Sequence, residues 1–145
     1  FAGNAPFSLE AWVRPATVDA TSRRIFSKES GVNGYYLIAD STRLSFARLR
    51  NGNYQTMTGP KLAVGSTYHV VVTYDGATQR LYVNGAQVDV EASAQAIVDS
   101  TSPFTVGAKA TGGGNWVGTI DAPAAYNPSL SAATVLAHSR AGTGT

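Results

Sequence analysis

The sequence contains no cysteine. That excludes disulfides, thiolate metal sites and cysteine nucleophiles. Charge is also scarce: Asp, Glu, Lys and Arg make up 14% of the chain, against about a quarter in ordinary soluble domains. Ser, Thr, Asn and Gly supply the polarity instead. Helix-period patterns are almost absent, which argues against a βαβ architecture. No apolar run is long enough to span a bilayer and no signal peptide is present, so membrane insertion is not expected. The net charge is only +2. The early arginines form no dense basic stripe, and nucleic acid is not an expected partner.

What the 145 residues do contain is enough apolar sequence for one folded domain with a real core. The clearest stretch runs from Tyr68 to Val88. Tyr68–Tyr74 and Arg80–Val83 are β-branched and aromatic runs, punctuated by Asp75-Gly76 and Asn84-Gly85. Such dipeptides reach positive φ cheaply and suit tight reversals, so this stretch reads as a three-stranded antiparallel meander.

The rest of the chain repeats that grammar. Phe7–Arg14 alternates, with Phe7, Leu9, Ala11 and Val13 on one face and Ser8, Glu10, Trp12 and Arg14 on the other. Further strands are expected at Arg23–Lys28, Tyr35–Asp40, Arg43–Leu49 and Tyr54–Thr58, the last broken by Gly59-Pro60. Phe104–Ala108 reads as a strand and Trp116–Tyr126 contains the last strand or strands, with Thr111–Asn115 between them as a long hairpin tip. Ser131 caps one short helix, Ala132–His138, and Ala141–Thr145 reads as a flexible tail. Roughly ten short strands at near-regular spacing predict an all-β sandwich. Phe1 is not a native start, which points to a fragment, a processed product or part of a longer protein.

These segments, in order, resemble a known family. FSLEAWVRP, GYYLIAD, RLSFAR, YHVVVTYDGATQRLYVNGAQV, PFTVGA and GNWVGTIDAPAAYNPSLSAATVLAHSRAG are similar to the laminin G-like, concanavalin A-like lectin/glucanase domain, in its bacterial and phage branch. The resemblance covers Phe7 to Gly142. It implies an antiparallel jelly-roll sandwich over residues 1–142, with a tail at 143–145. Two curved sheets are implied, the back of one covered by the terminal helix or loops. Members usually begin with a further segment carrying an Asp-rich loop and an edge strand, and here that edge strand is absent. In relatives that bind calcium, an Asp-Glu pair near the end contributes ligands. Here the pair is Asp121-Ala122, which leaves Asp121 as a weak calcium candidate, and no cofactor is otherwise expected.

Candidate chemistry is thin. Glucanases of the related fold carry Glu-x-Asp-x-x-Glu on one strand, and no such string occurs here. Glycoside hydrolysis needs two facing carboxylates about 5–10 Å apart. Glu10 stands alone, and Asp89 and Glu91 sit at a strand end. His69 and His138 read as isolated structural histidines, His69 within the core strands and His138 near a helix C-terminus. Thr111–Asn115 lacks the Lys-Ser/Thr ending of a phosphate loop. The chain therefore does not read as an enzyme.

The best candidates are aromatics beside turn amides, because sugar rings stack on aromatic faces while their hydroxyls pair with amides. Three clusters qualify: Asn33 with Tyr35, beside Tyr36; Asn51 and Asn53 with Tyr54; and Asn115 with Trp116. Trp12, Arg14, Arg48 and Arg50 form a second candidate surface. The expected role is a non-catalytic carbohydrate-binding or adhesion module, outside a cell, on its surface or on a virion. The rival is a structural protein-interaction module, such as a capsid decoration or tail component, with a protein partner or self-assembly completing an open sheet edge.

Overall fold

The computed structural model describes residues 1–144. Ten strands and one helix follow in order. The strands are β1 (Phe7–Pro15), β2 (Arg23–Ser30), β3 (Asn33–Asp40), β4 (Arg43–Arg50), β5 (Asn53–Lys61), β6 (Tyr68–Tyr74), β7 (Thr78–Val83), β8 (Ala86–Ala92), β9 (Thr105–Val106) and β10 (Gly118–Tyr126). The helix α1 spans Ala132–Thr143. The strands form two five-stranded antiparallel sheets, ordered β10-β1-β6-β7-β8 and β5-β4-β3-β2-β9. This is the expected sandwich.

Alternation along each strand builds the core between the sheets. Phe7, Leu9, Ala11 and Val13 of β1 meet Tyr35 and Leu37 of β3 and Leu44 and Phe46 of β4 in one buried cluster. Full burial of each of the Val, Leu and Phe side chains among them contributes about 1.5–3 kcal/mol. The reversals carry the backbone their residues suit. Asn51-Gly52 and Asn84-Gly85 both stand at positive φ, the signature of a two-residue hairpin turn matched to strand twist.

Several expectations are corrected. β5 does not break at Gly59-Pro60 but runs on to Lys61. It is an edge strand, where a missing N–H is tolerated. Gly59 is needed inside it, because a Cβ there would stand 2.9 Å from the Leu44 Cβ. The strand near Phe104 shrinks to Thr105–Val106. Thr111–Asn115 is no hairpin tip: β9 and β10 lie in different sheets, so the loop crosses between them. The last strand, β10, lies within Trp116–Tyr126 as expected and opens at Gly118.

The terminal helix is longer than expected. Ser131 caps it by accepting the Thr134 N–H at 3.1 Å, and Gly144 ends it in the left-handed conformation at φ 72°. Ala141–Thr143, read as tail, is therefore its last turn, and Thr145 lies outside the described residues. β1 is flanked by β10 and β6, so the sheet edge falls on β10. That edge carries a bulge with Ala122 at φ 47° and then Pro123, two devices that blunt strand addition.

Candidate functional site

The helix decides which sheet face is free. α1 lies over the outer face of the β10-β1-β6-β7-β8 sheet, where Val71, Tyr82 and Val135 form a small second core with Leu130. Two glycines permit the close seating. A Cβ on Gly142 would fall 2.1 Å from the Trp12 ring, and one on Gly85 would fall 2.9 Å from Leu136.

Under the helix, Glu10 joins both histidines. Its Oε1 accepts from His69 Nε2 at 2.7 Å and lies 3.0 Å from His138 Nδ1, while the Tyr126 hydroxyl also bonds the carboxylate. Burial alone would raise the Glu10 pKa. The hydrogen bonds from Tyr126, His69 and His138, with the His138 charge, outweigh it and hold the carboxyl below its ordinary range. The same bond to Glu10 is the main reason the Tyr126 hydroxyl is pushed up to about 12. The two histidines are thus not isolated, and His69 faces the helix rather than the central core. This arrangement ties β1, β6, β10 and α1 together. It has no nucleophile, it meets solvent only at the half-buried His138 and Tyr126, and its carboxylate is spent.

The other acidic candidates are spent as well. Asp89 Oδ2 accepts the Thr58 N–H at 2.8 Å, and Glu91 Oε2 accepts from Gln79 Nε2 at 2.8 Å. Both stitch β8 to its neighbours. Asp121 Oδ1 accepts the Ala122 N–H at 2.8 Å. Among the described residues no group of three or more His, Cys, Asp or Glu side chains is placed to hold a metal ion. Calcium takes six to eight oxygens, and the donors around Asp121 do not fit it.

The second sheet presents the candidate surface. Register places Tyr36 opposite Ala47, Ala47 opposite Thr56, and Leu49 opposite Tyr54, all on the outer face, while Tyr35 and Leu37 point into the core. Ala47 and Leu49 are buried, and Tyr54 is 55% exposed. The result is an apolar floor with a tyrosine standing over it. Tyr36 is flanked by the Arg24 guanidinium, 5.0 Å from its ring centroid. Arg24 is itself fixed by two bonds to Glu29 Oε1, at 3.0 and 2.7 Å. Burial, then the nearby Tyr54 and Glu29, push the Tyr36 hydroxyl above its ordinary value.

The turn amides sit at one end of this face. Asn33 Oδ1 accepts the Asn51 N–H at 2.9 Å, and Gly52 N–H donates to the Val32 carbonyl at 3.0 Å, so the β2–β3 and β4–β5 turns are tied together. Asn53 lies beside Tyr54 on the same rim. Four of the expected residues, Asn33, Asn51, Asn53 and Tyr54, are therefore brought together, with Tyr36 beside them.

Others are not. Tyr35 is 1% exposed and stacks on Phe7 at 5.1 Å. Burial pushes its hydroxyl above the ordinary range. It is the core member of the tyrosine pair and leaves the candidate set. Asn115 and Trp116 belong to the opposite end of the sheet: the Asn115 carbonyl accepts from Arg23 at 3.0 Å. Trp116 packs against the core and spends its N–H on the Thr119 carbonyl at 3.2 Å. The proposed Trp12, Arg14, Arg48 and Arg50 surface is not one surface, since the pairs lie in different sheets. Arg48 is fully buried, 3.6 Å from the Tyr74 ring centroid, and donates to Ser93 Oγ at 2.8 Å and to the Gln95 carbonyl at 2.9 Å.

Comparison with known proteins agrees with this architecture. A family model described as the concanavalin A-like lectin/glucanases superfamily matches residues 1–136. No curated protein matches the chain. Among solved structures, the binding domain of Paraclostridial Mosquitocidal Protein 1 superposes with TM-score 0.77 at 14% identity, over 95% of this chain and 37% of that one. A candidate carbohydrate-binding protein from Bacteroides ovatus superposes with TM-score 0.76 at 18% identity, over 92% and 40%. A botulinum neurotoxin type C structure, whose cell entry is described as dependent on two ganglioside molecules, gives TM-score 0.74 at 14% identity, over 97% and 37%. At these identities the likeness is one of fold, and the chain spans two fifths or less of each neighbour's length. The family match covers nearly the whole chain: this protein belongs to the concanavalin A-like lectin/glucanase superfamily.

Proposed function

We propose that the chain is a non-catalytic carbohydrate-binding module acting outside the cell, on a cell surface or on a virion. The observation that carries this is the outer face of the β5-β4-β3-β2-β9 sheet. There an exposed Tyr54 stands over the buried Ala47 and Leu49, with Asn33, Asn51 and Asn53 on the adjoining rim. A sugar ring has an apolar C–H face for the tyrosine and hydroxyls for the amides. The spent carboxylates of Glu10, Asp89 and Glu91 support binding rather than hydrolysis. The carbohydrate and ganglioside descriptions of two structural neighbours are compatible with a glycan ligand here.

Binding to a broad glycan array, repeated with Tyr54→Ala and Asn53→Ala, tests this. Tyr54 is on the surface, so the variant keeps its fold and loses most of the signal. An array on which neither protein binds, with or without added calcium, refutes the reading. A protein partner is the second reading. It is favoured by Val88 and Val90, 41% and 49% exposed on edge strand β8, and it predicts self-association measurable by light scattering.

A further inference from the structure

On the opposite side of the molecule, a cavity of about 980 Å³ opens between the C-terminal half of α1 and the β1–β10 end of the helix-covered sheet. Its size is at the upper end for ligand sites. Trp12 forms one wall, Arg14 enters from β1, Arg140 from α1, and Asp121, Asn84 and Thr119 complete the polar lining. The seating of Gly142 on Trp12 brings the helix low enough for Arg140 to reach this space.

The donors here are unspent. Arg14 gives its Nε to the Gly65 carbonyl at 2.8 Å. That bond fixes the stem, and among the described residues neither terminal nitrogen has a hydrogen-bond partner. Arg140 makes no side-chain ion pair among the described residues. Asn84 spends its carbonyl oxygen on the His69 N–H at 2.9 Å, and its NH₂ remains. Against two guanidinium groups the lining sets, among the described residues, one side-chain carboxylate, Asp121. A cleft with excess positive charge, forked donors, hydroxyl and amide groups and an indole wall matches one ligand chemistry: a ring bearing hydroxyls and an anionic substituent.

We propose that this cleft is a second binding site, separate from the Tyr54 face, and that it takes an acidic sugar unit. Its carboxylate or sulfate is held by Arg14 and Arg140. Its hydroxyls are held by Asn84 and Thr119. Sulfate and carboxylate share the recognition chemistry, so separate probes distinguish them.

The test uses the whole chain in a Trp116→Phe background, which leaves Trp12 as the sole tryptophan reporter. A heparin-derived tetrasaccharide and tetragalacturonate are titrated against maltotetraose and cellotetraose as neutral controls, following fluorescence. At least one acidic probe should change the Trp12 signal, with affinity falling as salt rises. Arg14→Gln and Arg140→Gln should each weaken binding about ten-fold or more, as expected for a lost charge-assisted hydrogen bond. Asp121→Asn should strengthen it severalfold, whereas a cation-dependent site at Asp121 would weaken. Tyr54→Ala should leave it unchanged, so failure here and failure of the Tyr54 face are read independently. Silence with both acidic probes, an equal response to neutral sugars, or affinity unchanged in Arg140→Gln overturns the proposal. The Arg14, Arg140, Asp121 and Tyr54 variants alter exposed side chains and Trp116→Phe a half-buried one, and matching melting curves confirm that the fold is intact.

Discussion

Replacing Glu10 by glutamine removes one charge and almost no volume from beneath α1. The side chain is 8% exposed and faces a His69 that is fully enclosed, with His138 38% exposed on the solvent side. The carboxylate accepts from three donors: His69, His138 and Tyr126. A glutamine turns at least one of them against an NH₂. A hydrogen bond to a charged group contributes about 1.5–3 kcal/mol, and solvent at His138 discounts that partner's share. The expected loss is about 2–4 kcal/mol at neutral pH, or about 6–12 °C in Tm for a domain of this size. The pH dependence has a definite sign. The Glu10 pKa is lower in the folded protein than its ordinary value of 4.5. Its contribution is therefore complete above that value and is lost as pH falls through the folded value. Urea denaturation of wild type and Glu10→Gln from about pH 6 down to about pH 2.5 should show a difference that shrinks with acidification. A neutral-pH difference below about 0.5 kcal/mol, or one unchanged through acid, would refute the linkage of Glu10 to its three donors.

Three other outcomes follow from the packing. Gly142→Ala would normally gain about 1 kcal/mol of helix propensity. Its Cβ would fall 2.1 Å from Trp12, so the helix must lift or the indole must turn, and Tm should drop with a shift in Trp12 fluorescence; a raised Tm contradicts the close seating. Arg48→Ala removes a buried cation that holds Ser93, the Gln95 carbonyl and the Gly3 carbonyl. It should cost about 2–4 kcal/mol, with faster hydrogen exchange at Gly3 and Ile97, whose N–H groups pair across that segment. Gly59→Ala should destabilise through its contact with Leu44, checked by thermal melting.

The strands were legible because period-2 alternation and Asn-Gly or Asp-Gly turns are local signals. The failures were of two kinds. One was parity. Arg48 lies two residues from Phe46 and so shares its core face, but its charge made it look outward. Tyr35 and Tyr36 alternate, and the choice between them depends on which strand neighbour leads the core. The other was distance along the chain. Glu10 and His138 are 128 positions apart, and nothing near Glu10 announces that a helix will cover it. Gly59-Pro60 reads as a break until β5 is known to be an edge. The candidate site divided on the same line. The amides and Tyr54 sit on two turns that sheet order makes neighbours, whereas Asn115 and Trp116 follow a crossover whose destination no local pattern marks.

The asymmetry between the two sheets explains why binding, if it follows this geometry, falls where it does. A sandwich has two outer faces, and a chain with this little charge has few ways to keep both wet. Here the helix-covered sheet encloses a carboxylate and His69, with the half-buried His138 and Tyr126 at their rim, so much of its face is committed to stability. The helix closes that face only in part, because Gly142 and Gly85 let it down at its seats on Trp12 and Leu136 while the space beside Arg14 and Arg140 stays open. The other sheet has no helix to cover it, and its apolar floor at Ala47 and Leu49 is screened by side chains of its own, Tyr54 foremost. A ligand ring laid on the exposed face of Tyr54 removes apolar surface from water. A ligand in the helix cleft must instead satisfy the guanidinium groups. The two proposed sites thus call for different chemistry, neutral and ring-faced at Tyr54, anionic beside Arg14 and Arg140.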